Sequence, residues 1–185
     1  HNIHALCLDN DNLWVGTYSG GLNKMNLQTH SFKHYLPSQS IYALKKDRYG
    51  NLWAGSMSDI MIYDRQKDDF RKIVMTNTTT TDILDAPDGN LYFGTLGQGI
   101  YIYNFKTRKW LRLKKKADMN LSLPCNQINT LCNYEGKEMW VGTDDGLWVY
   151  NYNKKSFKKL HIEGFNQAVC SIIYQKGLFW LATTN

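Results

Sequence analysis

One four-residue phrase recurs five times along this chain, and it constrains the fold more than any other feature. An aromatic residue is followed by an apolar residue, a glycine or alanine, and a threonine or serine. The aromatic positions are Trp14, Trp53, Tyr92, Trp140 and Trp180. They are 39, 39, 48 and 40 residues apart. A period of this length indicates stacked repeats, each one a small supersecondary unit.

Each unit contains four short strand-like runs separated by turns. In the second unit these runs are 41–44, 52–55, 60–63 and 70–73, and Gly50 occupies a turn position where a positive φ is expected. Short runs at this spacing predict an all-β array. The run 100–103 is apolar throughout, which is typical of a strand covered on both faces. Four-stranded sheets packed face to face around an axis supply that environment, so the pattern predicts a β-propeller. The alternative is a sandwich with chance self-similarity, which five in-phase copies disfavour.

The repeats divide the chain into four complete blades and half of a fifth. Their approximate boundaries are 1–38, 39–78, 79–124, 125–165 and the incomplete 166–185. We therefore expect residues 1–185 to form a single partial propeller domain that belongs to a larger ring. We expect the five repeated aromatics to pack between blades, in the same buried position of each unit. The glycine two residues later allows the close backbone approach that this packing needs.

Composition excludes several classes of function. The net charge is +6, but the basic residues are spread over all units, so we expect no nucleic-acid partner. The four cysteines have no Cys-x-x-Cys spacing, which argues against a zinc site or a disulfide scaffold. No apolar run is long enough to span a membrane, so we expect no membrane contact by this segment.

The best preserved parts of the repeats are 50–56 with Tyr63-Asp64, 89–95 with Tyr103-Asn104, and 140–143 with Gly146-Leu147. This pattern resembles the two-component regulator propeller repeat over nearly the whole chain. The resemblance implies a seven-bladed propeller in the extracytoplasmic sensor region of a hybrid two-component histidine kinase. It also implies a periplasmic location in an inner-membrane protein, an oligosaccharide signal and a homodimeric receptor. The remaining blades and the following sensor module would be its direct partners.

The loops that vary most between units are the best candidates for a binding surface. If the first strand lies nearest the axis, the second-to-third and fourth-to-first connections share one face. Variable loops on a rigid scaffold usually carry binding. Tyr18 could stack on a sugar ring, and the basic run 114–116 could meet a sulfated or uronic-acid sugar. The candidate ligand-binding residues are Tyr18, Ser19, Gln39, Asp59, Gln98, Lys115, Lys116, Asn126, Asp144 and Asp145.

Two other functions stay open from the sequence: a scaffold propeller that only spaces or dimerises the receptor, and a fragment of a propeller enzyme such as a lyase. Propeller enzymes that use a metal need carboxylates or histidines converging near the axis. The residues that enter each first strand are not acidic or His, although His4 and Asp82 lie close by. We therefore expect no catalytic residue, metal or cofactor in this segment. Any kinase activity would belong to other parts of the full-length protein.

Overall fold

The computed structural model describes residues 2–115, 123, 125–163 and 167–184. These residues form strands and turns, and none of them lies in a helix that could cross a membrane. The strands are β1 (Ile3–Asp9), β2 (Asn12–Thr17), β3 (Leu22–Asn26), β4 (Phe32–Tyr35), β5 (Ile41–Lys46), β6 (Leu52–Ser56), β7 (Asp59–Asp64), β8 (Asp69–Met75), β9 (Thr80–Asp85), β10 (Asn90–Thr95), β11 (Gly99–Asn104), β12 (Lys109–Leu113), β13 (Ile128–Tyr134), β14 (Glu138–Thr143), β15 (Gly146–Asn151), β16 (Ser156–Lys159), β17 (Val169–Gln175) and β18 (Leu178–Thr183).

The strands pair in sequence order into five antiparallel sheets. Strands β1–β4, β5–β8, β9–β12 and β13–β16 form four-stranded sheets, and β17–β18 form a two-stranded one. This confirms the predicted all-β architecture of four-stranded blades, with four complete sheets and half of a fifth. The chain divides into two compact units, His1–Ile83 and Leu84–Asn185, with the boundary inside β9.

The core of the first unit lies between its two four-stranded sheets, and Trp14 is at its centre. The indole is fully buried, with ring centroids 4.9 Å from Tyr63 and 5.6 Å from Phe70 on the second sheet. Strand β1 lies beside β5, so the first strands of the two sheets are neighbours. A Cβ on Gly16 would come within 2.9 Å of Cγ2 of Ile41. The glycine of the repeated phrase is therefore required by the close approach of the next sheet.

The second unit repeats this packing twice. Tyr92 is buried against the fourth sheet, with its ring 6.2 Å from Tyr150 and 6.0 Å from Tyr152. Trp140 stacks on Phe179 of the fifth sheet at a centroid distance of 3.6 Å and an interplanar angle of 4°. In each case the repeated aromatic of one sheet packs against aromatic side chains of the following sheet.

Trp180 departs from the predicted pattern. Trp14, Trp53 and Tyr92 are buried and Trp140 is half-buried, but Trp180 is 63% exposed. The burial predicted for Trp180 needs a following sheet, so for Trp180 it stays a prediction. The rings that cover Trp14, Tyr92 and Trp140 come from the sheet that follows, and among the described residues no sheet follows β18.

The turn between the first and second strands is tied to the repeated aromatic by a carboxylate. In the second sheet, Asp47 Oδ1 accepts hydrogen bonds from the backbone N–H groups of Tyr49 and Asn51, each at 2.9 Å. Its Oδ2 accepts from Trp53 Nε1 at 2.8 Å. Gly50 has a φ of 82°, as the turn sequence predicts. Asp88 has the same role in the third sheet, where Tyr92 Oη donates to it at 2.7 Å.

The turn between the third and fourth strands has one design in all four complete sheets. An Asn or Asp ends the third strand, and its Oδ1 accepts hydrogen bonds from backbone N–H groups two or three residues later. The residue that closes each turn has a positive φ between 49° and 57°. The acceptors are Asn26, Asp64, Asn104 and Asn151, and the closing residues are His30, Asp68, Arg108 and Lys155.

Candidate functional site

In both units, the connection between second and third strands lies against the connection that leads into the next sheet. Gly21 N donates to Gln39 O at 2.8 Å in the first unit, and Gly97 N donates to Asn126 O at 2.9 Å in the second. We call this surface of each unit the loop face of that unit. It comprises residues 18–21, 36–40, 57–58 and 74–79 in the first unit, and 96–98, 114–115, 125–127, 144–145 and 160–163 in the second.

The loop face of the first unit carries an aromatic cluster formed by His4, Tyr18 and Tyr42. The His4 ring centroid is 4.8 Å from Tyr42 and 6.2 Å from Tyr18. Tyr18 is 50% exposed, and the cluster is the most accessible aromatic surface on this face of the unit. Sequence reasoning selected Tyr18 but missed His4 and Tyr42. Both lie one residue after the start of a first strand, a position that would have identified them.

The loops around the aromatic cluster are held by side-chain and backbone hydrogen bonds. Ser19 has a φ of 55°, and its N–H donates to Ser40 Oγ at 2.9 Å. Gln39 is half-buried next to them, and its carbonyl oxygen accepts from Gly21 N. Ser19 therefore has a positioning role for the Tyr18 loop, and the Gln39 backbone holds the neighbouring connection.

Asp59 does not present its carboxylate to solvent. The residue is buried, and its Oδ2 accepts a hydrogen bond from Ser58 Oγ at 2.7 Å and pairs with Lys72 Nζ at 2.9 Å. The structure therefore uses Asp59 to hold the start of β7 against β8.

In the second unit, Gln98 and Asn126 are also engaged by their own neighbours. Arg112 donates from Nε to the Gln98 carbonyl at 2.9 Å and from its guanidinium to the Gln98 side chain, and it lies 4.9 Å from the Tyr101 ring centroid. Asn126 Oδ1 accepts from Lys115 N at 2.8 Å, and the Lys115 side chain is exposed. Lys116 lies outside the described residues.

Asp144 and Asp145 border a small cavity of about 160 Å³ that Lys159 and His161 also line. Asp144 Oδ1 accepts from Asn129 Nδ2 at 3.0 Å, and Asp145 Oδ1 pairs with Lys159 Nζ at 2.8 Å. Both carboxylates remain partly accessible at the cavity mouth. Within the described ranges, no group of three or more His, Cys, Asp or Glu side chains converges as a metal site would require.

Comparison with known proteins identifies the repeats. The family model described as the two-component regulator propeller matches residues 1–19 and 35–58. The matched residues lie in the first two sheets, β1–β4 and β5–β8. The resemblance predicted from the sequence is therefore confirmed for the blades that include Trp14 and Trp53.

Relatives of these regulator propellers are similar to the chain over most of its length. Histidine kinase P4 of Formosa agariphila is 28% identical over 184 residues, covering 88% of this chain and 13% of that protein. The extracellular domains of the putative hybrid two component systems BT4673 and BT3049 from B. thetaiotaomicron superpose with TM-scores of 0.82 and 0.79. They are 21% and 20% identical, and each match covers 98% of this chain and 26% of that structure. These structures confirm the propeller fold, and the chain spans about a quarter of their length.

Proposed function

We propose that this chain is part of the extracytoplasmic sensor of a hybrid two-component regulator, and that its loop face binds an oligosaccharide. The regulator propeller repeats support the first part. So does the similarity to structures described as extracellular domains of hybrid two-component systems. In this proposal the segment has no catalytic role, and a kinase belongs to other parts of the protein; the relative described as a histidine kinase, of which the match covers 13%, supports this.

The aromatic cluster is the single observation that carries the choice of a sugar ligand. Sugar rings offer C–H faces that pack on aromatic rings, and hydroxyl groups that need hydrogen-bond partners. Tyr18 supplies an exposed ring beside His4 and Tyr42, and the Gln39 backbone is held to the Tyr18 loop by the bond from Gly21 N to its carbonyl oxygen. The loops that hold this cluster are fixed by the bond from Ser19 N to Ser40 Oγ, so little ordering is needed on binding.

Binding would act on the kinase by a shift between two packing states of the receptor. A ligand can shift such an equilibrium only if it binds one state more tightly than the other. In the proposed mechanism, the loop face meets the sugar together with a neighbouring module or a second receptor copy. The ligand then stabilises the arrangement in which it contacts both the loop face and the neighbouring surface. The proposed homodimer is one such arrangement.

The test is a calorimetric titration of the complete protein with a panel of oligosaccharides, followed by Tyr18→Ala. Losing one stacked ring should weaken binding of the recognised sugar about fivefold, since such ring contacts contribute about 1 kcal/mol. Tyr49→Ala is the matched control, because Tyr49 is also exposed but lies in the turn at the other end of the second sheet. The absence of binding across the panel, or equal losses in both variants, would refute the proposal.

A further inference from the structure

A second cavity lies in the second unit, at the end of the strands opposite to the loop face. It measures about 300 Å³ and lies between the third and fourth sheets, where the first-to-second and third-to-fourth turns meet. This volume is at the lower end of the range for small-molecule sites, which suits a ligand with a single ring. The residues that define its shape are Asp88, Tyr92, Trp110, Tyr150, Tyr152 and Lys155.

The floor of the cavity is aromatic and rigid. Tyr92, Tyr150 and Tyr152 are buried, and the ring of Tyr152 lies 6.0 Å from Tyr92 and 6.1 Å from Tyr150. The exposed Leu111 side chain of β12 borders the floor, whereas the Trp110 ring packs on Phe93 and Tyr103 at centroid distances of 5.4 and 5.1 Å. The floor is therefore already formed, and a flat or ring-shaped ligand would bind with little rearrangement of the protein.

The carboxylate at the cavity is already engaged by its own turn. Asp88 Oδ2 accepts hydrogen bonds from Tyr92 Oη and Asn90 Nδ2, both at 2.7 Å, and its Oδ1 accepts from Asn90 N at 3.1 Å. Its charge is thus spread over three donors. Asn104 Nδ2 donates to Asn90 Oδ1 at 2.7 Å, which fixes the neighbouring amides.

Two lysine ammonium groups lie at the rim of the cavity without an ion-pair partner among the described residues. Lys109 and Lys155 line the cavity and are exposed, and in the described part of the chain neither forms an ion pair. Lysine ammonium groups on flexible stems are suited to carboxylate and sulfate groups. The rim therefore favours a ligand that carries a negative charge.

In the first unit, side chains at the equivalent repeat positions form an ion-paired contact between the sheets, and no cavity of this kind is present among the described residues there. There Lys33 pairs with Asp68, and Tyr35 and Tyr63 both donate hydrogen bonds to that carboxylate. This clamp joins the first sheet to the second. A cavity of about 230 Å³ remains beside it, but residues of the first sheet alone line it.

In the second unit these clamp positions are occupied differently. Leu111 stands where the first unit has Lys33, and Lys155 stands where it has Asp68. Lys155 keeps the positive φ of the turn, 51° against 49° at Asp68. These replacements remove the carboxylate of the clamp. They place the Lys155 side chain at a cavity whose floor consists of buried tyrosine rings.

We propose that this cavity is a second binding site, which takes one pyranose-sized ring bearing a carboxylate or sulfate group. The ring packs on Leu111 and the tyrosine floor, and the anionic group meets Lys109 and Lys155. The site lies at the other end of the strands from the aromatic cluster and does not depend on the sensing function proposed for the loop face.

The test is a calorimetric titration of the complete protein with D-glucuronate, D-galacturonate and D-glucose 6-sulfate, with neutral D-glucose for comparison. A ligand of this size is expected to bind with a dissociation constant of about 1 mM. Lys155→Asp should weaken binding of the acidic sugar that binds tightest about tenfold or more. Lys154→Asp is the matched control, because it makes the same charge change one residue away, outside the cavity lining. It should change affinity less than about twofold.

A double variant that should close the cavity tests the shape of the site separately from its charge. Leu111→Lys with Lys155→Asp rebuilds the clamp of the first unit and should abolish binding with no loss of thermal stability. Tyr18→Ala should leave binding at this cavity unchanged, which separates a failure here from a failure of the loop-face proposal. The proposal is overturned if neutral glucose binds as tightly as the acidic sugars. It is equally overturned if Lys155→Asp and Lys154→Asp behave alike, or if none of the acidic sugars binds at about 20 mM.

Discussion

Substitution of Asp9 is the strongest test of how the first two sheets are joined. The residue is 2% exposed, and its two carboxylate oxygens pair with Lys46 Nζ and Arg65 Nη2, each at 2.8 Å. Arg65 also donates to Gly50 O at 3.0 Å. One buried carboxylate on β1 thus binds two cations from the second sheet. Asp9→Asn keeps the shape and removes the charge.

The expected cost follows from these contacts. Hydrogen bonds to charged groups contribute about 1.5–3 kcal/mol each. The amide oxygen of the substituted side chain would keep one neutral acceptor, and both cations are partly exposed and can turn to solvent. We therefore expect a loss of about 2 kcal/mol in the free energy of opening the contact between β1 and β5. This corresponds to about a 30-fold change in the opening equilibrium.

Hydrogen exchange measured by mass spectrometry on the complete protein gives this free energy locally. Peptides from β1 and β5 should exchange about 30-fold faster in Asp9→Asn. Asp11→Asn is the matched control, since Asp11 lies exposed in the same turn. If both variants exchange alike, the buried ion pairs do not join the two sheets and the reasoning fails.

The same contact should depend on pH in a defined direction. Burial by itself would raise the pKa of Asp9, but hydrogen bonds and charges from Lys46 and Arg65 outweigh it and hold the pKa below its ordinary value. The unfolded state therefore takes up the proton first as pH falls. The stabilisation is fully present above the ordinary aspartate pKa of about 4 and is lost as pH falls further. The opening free energy of β1, obtained from exchange rates divided by the intrinsic rate at each pH, should fall over that range in the wild type and less in Asp9→Asn.

Two further substitutions probe the repeated phrase. Gly142→Ala should destabilise the second unit by about 1–3 kcal/mol, because the added Cβ would lie 2.8 Å from the Val169 carbonyl oxygen. Faster exchange confined to β13, β14 and β17 would show this, and unchanged exchange there would contradict it. Tyr92→Phe should cost about 1 kcal/mol by removing the 2.7 Å hydrogen bond to Asp88. Exchange of β10 amides measures this, and no change would mean that the bond contributes nothing.

Local patterns in the sequence predicted the strands and turns because the residues that determine each strand and turn lie within the same repeat. The alternation of short runs, the glycine at position 50 and the Asn or Asp after each third strand all act within a few residues. Their structural counterparts, such as the Asp47 turn, are therefore formed by neighbours along the chain. The burial of Trp180 stays a prediction, because it depends on a following sheet and not on its own repeat.

The candidate sites could be predicted only in part, because they depend on pairs of residues from different strands and sheets. Asp59 looked like a free loop carboxylate, but Lys72 on the neighbouring strand neutralises it. The aromatic cluster needs His4 and Tyr42 from two first strands, and only Tyr18 lies in a recognisable loop. The cavity of the second unit follows from an exchange of Lys33 and Asp68 for Leu111 and Lys155, which becomes meaningful only when the sheets are aligned.

The most direct test of the proposed sensing function is a crystal structure of the complete protein with the oligosaccharide that binds it. The account predicts a sugar ring packed on the exposed face of Tyr18, beside His4 and Tyr42. A complex in which the sugar lies on another part of the protein and the Tyr18 ring stays in solvent would contradict it.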